Sequence, residues 1–345
     1  MLWSVRLPFF RGKARENCPL VSLLIPARDE AANIGKTLSL LRQQSYQNIE
    51  IHVLDDGSAD ETAAIVRQHV AKDSRIQLRS GAPLPKGWLG KNWACHQLSQ
   101  IAQGEYWLFI DADVQVGQGL IPSLVAERER HGLTLLSVFP DQELKRWEER
   151  IAVPMMHVLL LTLLPLQWVR LLPFPSMAAA NGQVMLFEAE AYREYQFHRE
   201  KRKEVIEDIS IARWIKQLGL KAGVYVGNGL VSCRMYSGLG EIVDGFSKNL
   251  LAGFGHSIVG LLLYLSLTSW FYIGLFFLPA GYVMLAIFGL VLTNIALALL
   301  SRRPILETVL THIPRVGTTA WIGIQSVYRK IKRQNKWKGR NIYLD

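Results

Sequence analysis

The sequence of 345 residues predicts an α/β fold in which a mixed, mostly parallel sheet is flanked by helices and followed by membrane-spanning helices. Short apolar runs that end in acidic residues alternate with helical stretches up to position 113, which is the pattern of βαβ units in a nucleotide-binding sheet. Two long uncharged runs follow Gly255, and each is long enough to cross a bilayer.

Polar residues follow each of the first two predicted strands, 21–25 and 49–54. Such residues lie at the edge of a parallel sheet where α/β proteins bind their ligands. The residues that we single out are Pro26, Arg28 and Glu30 after the first strand, and Asp55 and Asp56 after the second.

Helical periodicity fills the connections between the predicted strands. Ile34, Leu38 and Leu41 recur at the spacing of one helix face. The further predicted elements are a helix at 61–70, a short strand at 76–79, a Gly/Pro-rich loop and a helix at 93–102.

Asp111 and Asp113 are separated by one residue and follow the apolar run 106–110, which predicts a buried strand. Two carboxylates at this spacing can hold a hard divalent cation, and such a cation can bridge the phosphates of a nucleotide. On its own, the D-x-D pattern is equally compatible with a polar strand end or a loop cap.

These motifs resemble, in their order, those of family 2 glycosyltransferases of the GT-A fold. The resemblance covers about 21–234 and depends on four motifs: Ile25–Glu30, Asp55–Ser58, Asp111–Asp113 and Glu207–Asp208. The stretches 84–94, 178–183 and 337–340 resemble more narrowly the membrane-bound branch that glycosylates carotenoids and related isoprenoid lipids.

The resemblance implies a separate task for each donor-side carboxylate. The family residue at Asp56 accepts hydrogen bonds from a uracil-type base or its ribose, with Asp55 and Glu30 nearby. The residue at Asp113 ligates Mg²⁺ or Mn²⁺ across the diphosphate of a UDP- or GDP-sugar, and Asp111 lies toward the ribose or the metal shell.

Lys91 would add positive charge beside that diphosphate, although a solvated loop lysine explains its position in the sequence equally well. The tail from Arg333 to Trp337 has the spacing of the family's Q/R-x-x-R-W motif, which contacts donor and acceptor. Lys336 replaces the usual Arg, which argues against a processive, polymer-making enzyme. Trp337 and Arg340 are further candidate site residues.

Glu207 and Asp208 open a predicted amphipathic helix that ends at Gly219. Acidic residues in this position also complement the helix dipole without any catalytic role. In the family, however, the Asp of this pair is the general base that takes the proton of the acceptor hydroxyl, so that Asp208 is the expected base and Glu207 supports it. A single displacement of this kind inverts the anomeric configuration.

Asn181, Gly182 and Gln183 precede a predicted strand. Their amides and the close approach that glycine allows could serve the donor sugar or the acceptor, and an ordinary turn before 184–187 is the alternative.

The apolar segment 151–172 contains Pro154, Pro165 and charged or ionisable residues. A membrane crossing there would separate Asp113 from Asp208, so we expect an interfacial or re-entrant segment. The predicted organisation is a basic segment 1–18, a catalytic domain 19–234 with the insertion 151–172, an amphipathic interface helix 235–256, two transmembrane helices in 257–300, and an interfacial segment with a basic cytoplasmic tail at 301–345. For the helix in 235–256, whose apolar residues recur from Leu239 to Leu250, a core-facing helix is the alternative to one that lies on the bilayer.

Basic residues after the second span predict a multi-pass protein of the cell membrane with its catalytic domain on the cytoplasmic side. The net charge of +10 fits anionic lipid and a diphosphate donor, and no nucleic-acid-binding module is recognisable. The three cysteines lack paired or metal-ligand spacing.

The acceptor is the least determined part of this prediction. A hydroxylated carotenoid or similar isoprenoid lipid is favoured, with a hexose or deoxyhexose as the transferred sugar. Polyprenyl phosphate, diacylglycerol, a hopanoid or a polysaccharide are alternative acceptors. A catalytically inactive membrane scaffold that retains the fold is the alternative outside enzymes.

Overall fold

The computed structural model describes residues 5–10, 18–164, 166–332, 334, 336–337 and 340–341. The strands are β1 (Val21–Ala27), β2 (Ile49–Asp55), β3 (Ile76–Ser80), β4 (Tyr106–Ile110), β5 (Val114–Val116), β6 (Leu135–Phe139), β7 (Asp141–Gln142), β8 (Val184–Glu188), β9 (Ala222–Val226), β10 (Val231–Cys233), β11 (Lys336–Trp337) and β12 (Arg340–Asn341).

Helices fill most of the connections between these strands and form the C-terminal part. They are α1 (Ile34–Arg42), α2 (Thr62–Val70), α3 (Gly90–Ser99), α4 (Leu120–His131), α5 (Trp147–Ala152), α6 (Met155–Leu163), α7 (Leu166–Leu171), α8 (Ala189–Tyr195), α9 (Phe197–Glu200), α10 (Glu207–Gln217), α11 (Leu239–Gly253), α12 (Ile258–Gly274), α13 (Ala280–Leu300), α14 (Ile305–Leu310) and α15 (His312–Ile331).

The main sheet has seven strands in the order β3-β2-β1-β4-β8-β6-β9. β8 runs antiparallel to both of its neighbours, and the remaining pairs are parallel. The predicted mixed α/β sheet is thereby confirmed. Because β1, β2 and β4 are parallel neighbours, their carboxyl ends and the acidic motifs that follow them lie at one edge of the sheet.

The core lies on both faces of this sheet because successive side chains of a strand point to opposite sides. Leu23 and Ile25 of β1 contact the cluster that contains the apolar face of α1, which is fully buried as its periodicity predicts. Leu24 belongs to the opposite cluster, together with side chains from α3 and α10. Both helices that carry site residues are therefore fixed by apolar burial against the sheet.

A smaller sheet, β5-β10-β7, follows the D-x-D motif. Cys233 of β10 pairs antiparallel with Val114, the residue after Asp113. The sequence did not predict these short strands, whose few residues give no periodic signal. The pairing brings the chain that leads into α11 directly beside the D-x-D motif.

The insertion 151–172 folds as short helices that pack on the catalytic part. The Arg170 side chain donates to the Tyr225 hydroxyl at 2.5 Å, and that hydroxyl donates to Glu127 at 2.8 Å. The Lys216 ammonium of α10 donates to the Leu172 carbonyl at 2.5 Å. These contacts attach the insertion to β9, α4 and α10.

Two C-terminal helical segments, Ile258–Phe277 and Ala280–Leu300, are long and apolar enough to cross a membrane. Many of their large apolar side chains are exposed, among them Leu263, Phe276 and Phe288. The buried Arg315 of α15 donates to Asn294 of α13 at 3.2 Å and thereby connects the second apolar helix to the amphipathic helix that follows.

The amphipathic helix predicted within 235–256 is α11, and its apolar face is largely buried within the protein. Ile242, Phe246 and Leu250 form one cluster with side chains of α5, α12 and α15. This packing is that of a core-facing helix. The expected contact of this face with lipid is therefore replaced by contacts with neighbouring helices.

α3 begins at Gly90, earlier than the predicted start at 93, so Lys91 lies in a helix and not in a loop. Gly90 and Asn92 are weak helix formers, so the sequence predicted that the helix starts only after them. Tertiary contacts override this preference, because the buried Asn92 amide donates to the carbonyls of Lys201 and Glu204 at 3.0 and 3.1 Å.

At Gly104, just before β4, the neighbouring backbone of β1 leaves no room for a side chain. A Cβ there would lie 2.6 Å from the Leu20 carbonyl and 2.8 Å from the Ser22 amide. We expect Gly104→Ala to lower the free energy of unfolding by about 1–3 kcal/mol, because backbone must move to admit the methyl group. Thermal unfolding of the purified protein in detergent measures this change.

Gly240→Ala is the matched control, because a Cβ at Gly240 of α11 meets no atom within 4 Å. Alanine favours helix by up to about 1 kcal/mol over glycine, so this variant should be unchanged or more stable. Equal melting temperatures of the two variants would contradict the steric account of Gly104.

Candidate active site

The first two polar motifs are joined by Arg28. Its guanidinium donates to the carbonyl of Asp56 at 2.5 Å and to that of Gly57 at 3.2 Å. The Asp56 amide in turn donates to the Ala27 carbonyl at 2.8 Å. The ends of β1 and β2 thus form one loop pair, with Asp56 buried and Glu30 partly exposed beside it.

The D-x-D motif is held by backbone contacts from both sides. The Thr37 hydroxyl of α1 lies 2.8 Å from the Ala112 carbonyl and 3.0 Å from the Val114 carbonyl. The Asp111 amide donates to the Gln183 carbonyl at 3.0 Å. The backbone around Asp113 is therefore fixed by groups other than its own carboxylate.

Lys91 lies between the donor-side and base-side carboxylates. Its ammonium is 2.8 and 2.9 Å from the two oxygens of Asp111 and 3.6 Å from Glu207. It also donates to the Gly182 carbonyl at 3.2 Å. Lys91 therefore bridges α3, the D-x-D motif and the start of α10.

Gly182 makes the closest backbone approach to these charges. Its amide donates to Asp208 at 2.8 Å, and a Cβ at this position would lie 3.1 Å from both Lys91 and Glu207. The side chains of Asn181 and Gln183, on either side of Gly182, make their hydrogen bonds elsewhere. The Asn181 side chain accepts from the Gln183 amide at 2.8 Å, and the Gln183 side chain donates to the sulfur of Cys233 at 3.2 Å. Asn181 thus shapes the turn, while Gly182 adjoins the carboxylates.

Glu207 and Asp208 are the first two residues of α10. One Asp208 oxygen accepts the Gly182 hydrogen bond, and the other accepts from the Ile209 amide at 2.8 Å. Free amides and the positive end of the helix dipole favour a carboxylate in this position. The side chain is consequently oriented by two backbone donors.

Two carboxylates of the site have strongly raised pKa values. Burial, together with the charges of Asp111 and Glu30, raises the pKa of Asp113 to about 7. Burial and the charge of Glu207 raise the pKa of Asp208 to about 7, against the lowering effect of its hydrogen bonds. A carboxyl group with a pKa near neutrality can take up and release a proton under physiological conditions.

Lys91 shows the opposite balance. Burial acts against its charge, but Asp111 and Glu207 outweigh that effect and hold the pKa of the ammonium above its usual value. The lysine therefore stays charged, and it offsets part of the repulsion among the acidic side chains.

The residues present fit a divalent cation at the D-x-D motif. The buried Oδ1 atom of Asp113 has no hydrogen-bond partner, which is costly for a carboxylate oxygen unless a ligand satisfies it. Oxygen donors suit Mg²⁺ or Mn²⁺. No cluster of three or more His, Cys, Asp or Glu side chains suited to a metal occurs in the described part of the chain, so a cation at Asp113 would complete its shell with ligand or water oxygens.

Most of the predicted site residues therefore come together at one end of the sheet. Arg333 lies outside the described residues, and Trp337 and Arg340 are described only as backbone of the hairpin β11-β12. Sequence reasoning missed Thr37 and Ser137. The Ser137 hydroxyl accepts from the Asn181 amide at 2.7 Å, and such single hydroxyls carry no recognisable motif.

A mixed sheet with acidic groups at the carboxyl ends of β1, β2 and β4 is an arrangement in which α/β proteins bind ligands. Residues 22–185 match the profile of the family described as "Glycosyl transferase family 2". This match covers just under half of the chain, and it supports a transferase with a family 2 glycosyltransferase domain.

The chain is similar to curated relatives named "4,4'-diaponeurosporenoate glycosyltransferase". The relative from Staphylococcus haemolyticus (strain JCSC1435) is 27% identical over 253 residues, which cover 72% of this chain and 65% of the relative. The relative from Staphylococcus aureus (strain MRSA252) is 28% identical over 246 residues, which cover 69% of this chain and 63% of the relative. The chain thus spans less than two thirds of either relative's length.

Among solved structures, the mannosyltransferase PcManGT from Pyrobaculum calidifontis, in complex with GDP-Man and Mn²⁺, is similar in fold. The TM-score is 0.59 at 17% sequence identity, with 94% of this chain and 90% of that chain covered. The similarity therefore extends beyond the α/β part into the C-terminal helices.

The raised pKa of Asp208 predicts a pH-dependent gain in stability for Asp208→Asn. The folded-state pKa of about 7 lies above that of an unfolded aspartate, so the wild type loses stability as pH rises toward and through 7. An asparagine does not ionise. The variant should therefore melt at a higher temperature than the wild type at pH 8. Its free energy of unfolding should exceed that of the wild type by at most about 4 kcal/mol. This difference in free energy should become smaller as the pH is lowered from 8 to 5.5.

Asp73→Asn is the control with the opposite sign. The hydrogen bonds from Arg75 lower the pKa of Asp73, so its carboxylate contributes stability throughout this pH range. That variant should melt lower at every pH tested. A stability gain for Asp208→Asn that does not depend on pH would contradict the assigned titration.

Proposed function

We propose that this protein is a membrane-bound inverting glycosyltransferase. It transfers a hexose or deoxyhexose from a nucleotide sugar to a hydroxyl group of a carotenoid or related isoprenoid lipid. The observation that carries the proposal is that Lys91, paired with Asp111 of the D-x-D motif, and Asp208 both contact Gly182. The names of the curated relatives support a carotenoid-type acceptor.

The donor nucleotide would lie over the ends of β1 and β2. Asp56, with Asp55 and Glu30 beside it, would accept hydrogen bonds from the base or ribose, and Arg28 with Pro26 would shape that pocket. The hydrogen bonds of Arg28 to the second motif support this arrangement, because they leave its charge close to the proposed nucleotide. A UDP- or GDP-sugar is the proposed donor class.

The D-x-D motif would hold Mg²⁺ or Mn²⁺, with Asp113 as the ligand and Asp111 toward the ribose or the metal shell. The unpartnered oxygen of Asp113 supports this assignment. When bound, such a cation neutralises the charge that develops on the departing diphosphate. Lys91 adds charge beside the same group while it keeps Asp111 and Glu207 in place.

Asp208 is the proposed general base. The Gly182 and Ile209 amides hold its two oxygens, so the carboxylate can accept the acceptor's hydroxyl proton at a fixed position. Glu207 supports it through the shared contact with Lys91. The deprotonated hydroxyl attacks the anomeric carbon, and one displacement inverts its configuration. Gly182 offers the space for sugar or acceptor, with Asn181 and Gln183 forming the turn.

The acceptor would reach this site from the bilayer. The segments 258–277 and 280–300 are the proposed membrane spans, and their exposed apolar side chains support that assignment. Arg302 and Arg303 follow the second span and favour a cytoplasmic location of the catalytic part. The exposed Trp168, Leu171 and Phe174 beside α7 support contact between the insertion and the membrane surface.

Asp208→Asn should lower glycosyl transfer by roughly 10²- to 10⁴-fold, because the acceptor proton loses its base. Mass spectrometry of pigments and polar lipids, in a host that makes hydroxylated carotenoids, measures the product. Glu190→Gln is the matched control: Glu190 is exposed and is the second residue of α8, as Asp208 is of α10. This control should retain full activity.

A sugar-mass addition to a carotenoid with the wild type, and its loss with Asp208→Asn, would support both acceptor and base. A new glycolipid with unchanged pigments would keep the transferase and replace the acceptor. Equal product from wild type and Asp208→Asn would exclude Asp208 as the base.

Asp113→Asn should remove cation-dependent nucleotide binding while the protein remains folded. Loss of the ligand carboxylate should weaken the binding of UDP or GDP in the presence of Mn²⁺ by about tenfold or more. Isothermal titration calorimetry with and without EDTA measures this effect, and Glu190→Gln again serves as the control. Nucleotide affinity that is the same with Mn²⁺ and with EDTA in the wild type would contradict the metal assignment.

A further inference from the structure

The segment 201–206 connects α9 to α10 and leads directly to Asp208, the proposed base. None of its side chains, all of which the structure describes, is buried. Side chains that stay partly in water add little apolar burial, so the course of this segment depends on hydrogen bonds of its backbone.

The first turn of α3 supplies such hydrogen bonds. The side-chain amide of Asn92 donates to the Lys201 carbonyl at 3.0 Å and to the Glu204 carbonyl at 3.1 Å. The backbone amide of Leu89, the residue that precedes α3, donates to the Arg202 carbonyl at 2.9 Å. Three carbonyls of the segment are thus attached to one helical turn.

Asn92 is an unfavourable residue for its position when only local preferences are considered. It is 1% exposed, and its Oδ1 atom has no hydrogen-bond partner among the described residues. A buried amide oxygen without a partner costs free energy, and asparagine is a weak helix former. The contribution of this side chain is therefore the pair of hydrogen bonds that its amide donates to the segment 201–206.

The same turn of α3 also contacts the donor side of the site. The ammonium of Lys91, the residue before Asn92, is 2.8 Å from Asp111 of the D-x-D motif. It also lies 3.6 Å from Glu207, the neighbour of Asp208. One turn of helix therefore contacts the D-x-D motif through Lys91 and holds the segment that enters α10 through Asn92.

We propose that Asn92 is a positioning residue that sets the place of Asp208 relative to the D-x-D motif by holding the segment 201–206 against α3. This inference rests on the proposed function. In the transfer step, the acceptor oxygen gives its proton to Asp208 and forms a bond to the anomeric carbon. The bond from that carbon to the diphosphate oxygen breaks, and its electron pair stays on that oxygen. The base has to lie within hydrogen-bond reach of the attacking hydroxyl, and a misplacement of about 1 Å can lower the rate by roughly 10²-fold.

Asn92→Leu replaces the amide by an apolar side chain of similar size and removes both donors. The assay uses the full chain in detergent, with UDP-glucose or GDP-mannose as donor and a hydroxylated carotenoid as acceptor. We expect kcat to fall by about 10- to 100-fold. The affinity for UDP and GDP with Mn²⁺, measured by calorimetry, should stay unchanged, because the loops after β1 and β2 keep their contacts.

Gln44→Leu is the matched control for the loss of a buried amide. The Nε2 atom of Gln44 donates to the Gly117 carbonyl at 2.9 Å, and its buried Oε1 atom lacks a partner in the part of the chain that the structure describes. Gln44 lies outside α3 and the segment 201–206. This variant should therefore lose similar thermal stability but keep the kcat of the wild type.

A double-mutant cycle tests whether Asn92 acts through the base. If it does, Asn92→Leu should not slow the Asp208→Asn variant any further, because the position of a missing base has no effect on the rate. Asn92→Ser keeps one donor hydroxyl and is the second variant if Asn92→Leu does not fold. Its smaller loss of kcat should also vanish in the Asp208→Asn background.

Losses of kcat that multiply in the double variant would overturn the inference. An unchanged kcat, or a fall in nucleotide affinity, for the Asn92 variants would overturn it as well. Each of these outcomes leaves the proposed function intact when Asp208→Asn by itself is slow. Failure of the wild type to transfer sugar, or equal rates for the wild type and Asp208→Asn, would instead overturn the proposed function or its base, and with it this inference.

Discussion

The ion pairs of Lys91 are the interaction on which the arrangement of the candidate site depends. Several carboxylates converge at one end of the sheet, and burial, together with their mutual repulsion, raises the pKa values of Asp113 and Asp208. Lys91 contacts Asp111 and Glu207 at once and also bonds the Gly182 carbonyl. One ammonium group therefore holds together segments that are far apart in the chain. Removing one partner of such a buried group leaves uncompensated charge, which is strongly unfavourable.

The antiparallel strand β8 explains how these segments meet. β4 carries the chain to Asp111, and β8 starts beside that end, because Ile110 pairs with Val184. The turn before β8 therefore places Gly182 next to the D-x-D motif. α10 then packs on the same face of the sheet as α3, so that Asp208 and Lys91 approach Gly182 from two helices. A Cβ at Gly182 would lie 3.1 Å from both Lys91 and Glu207, so any larger residue would crowd the charged groups.

The C-terminal helices pack against the segment that leads to the candidate site. α11 buries its apolar face against α5, α12 and α15, and its Gly245 lies against Tyr236. Tyr236 follows β10, which pairs with the strand immediately after Asp113. A continuous set of packed residues thus leads from the apolar helices to the D-x-D motif. In the proposed function, the lipid acceptor and the nucleotide-sugar donor would meet where these two parts of the protein join.

The sequence alone predicted strands β1 to β4 and β8, the helices with strong periodicity, the two apolar segments and the order of the acidic motifs; it did not predict β6 and β9 of the main sheet. These features depend on local patterns: apolar runs, the spacing of Ile34, Leu38 and Leu41, and acidic residues after strands. In the structure, α3 begins at Gly90 and not at the predicted residue 93, and the apolar face of α11 packs against neighbouring helices. Only the tertiary structure decided that Asn181 shapes a turn and that Thr37 fixes the D-x-D backbone. Those contacts join residues distant in sequence, and they arise from strand pairing and helix packing that leave no local pattern.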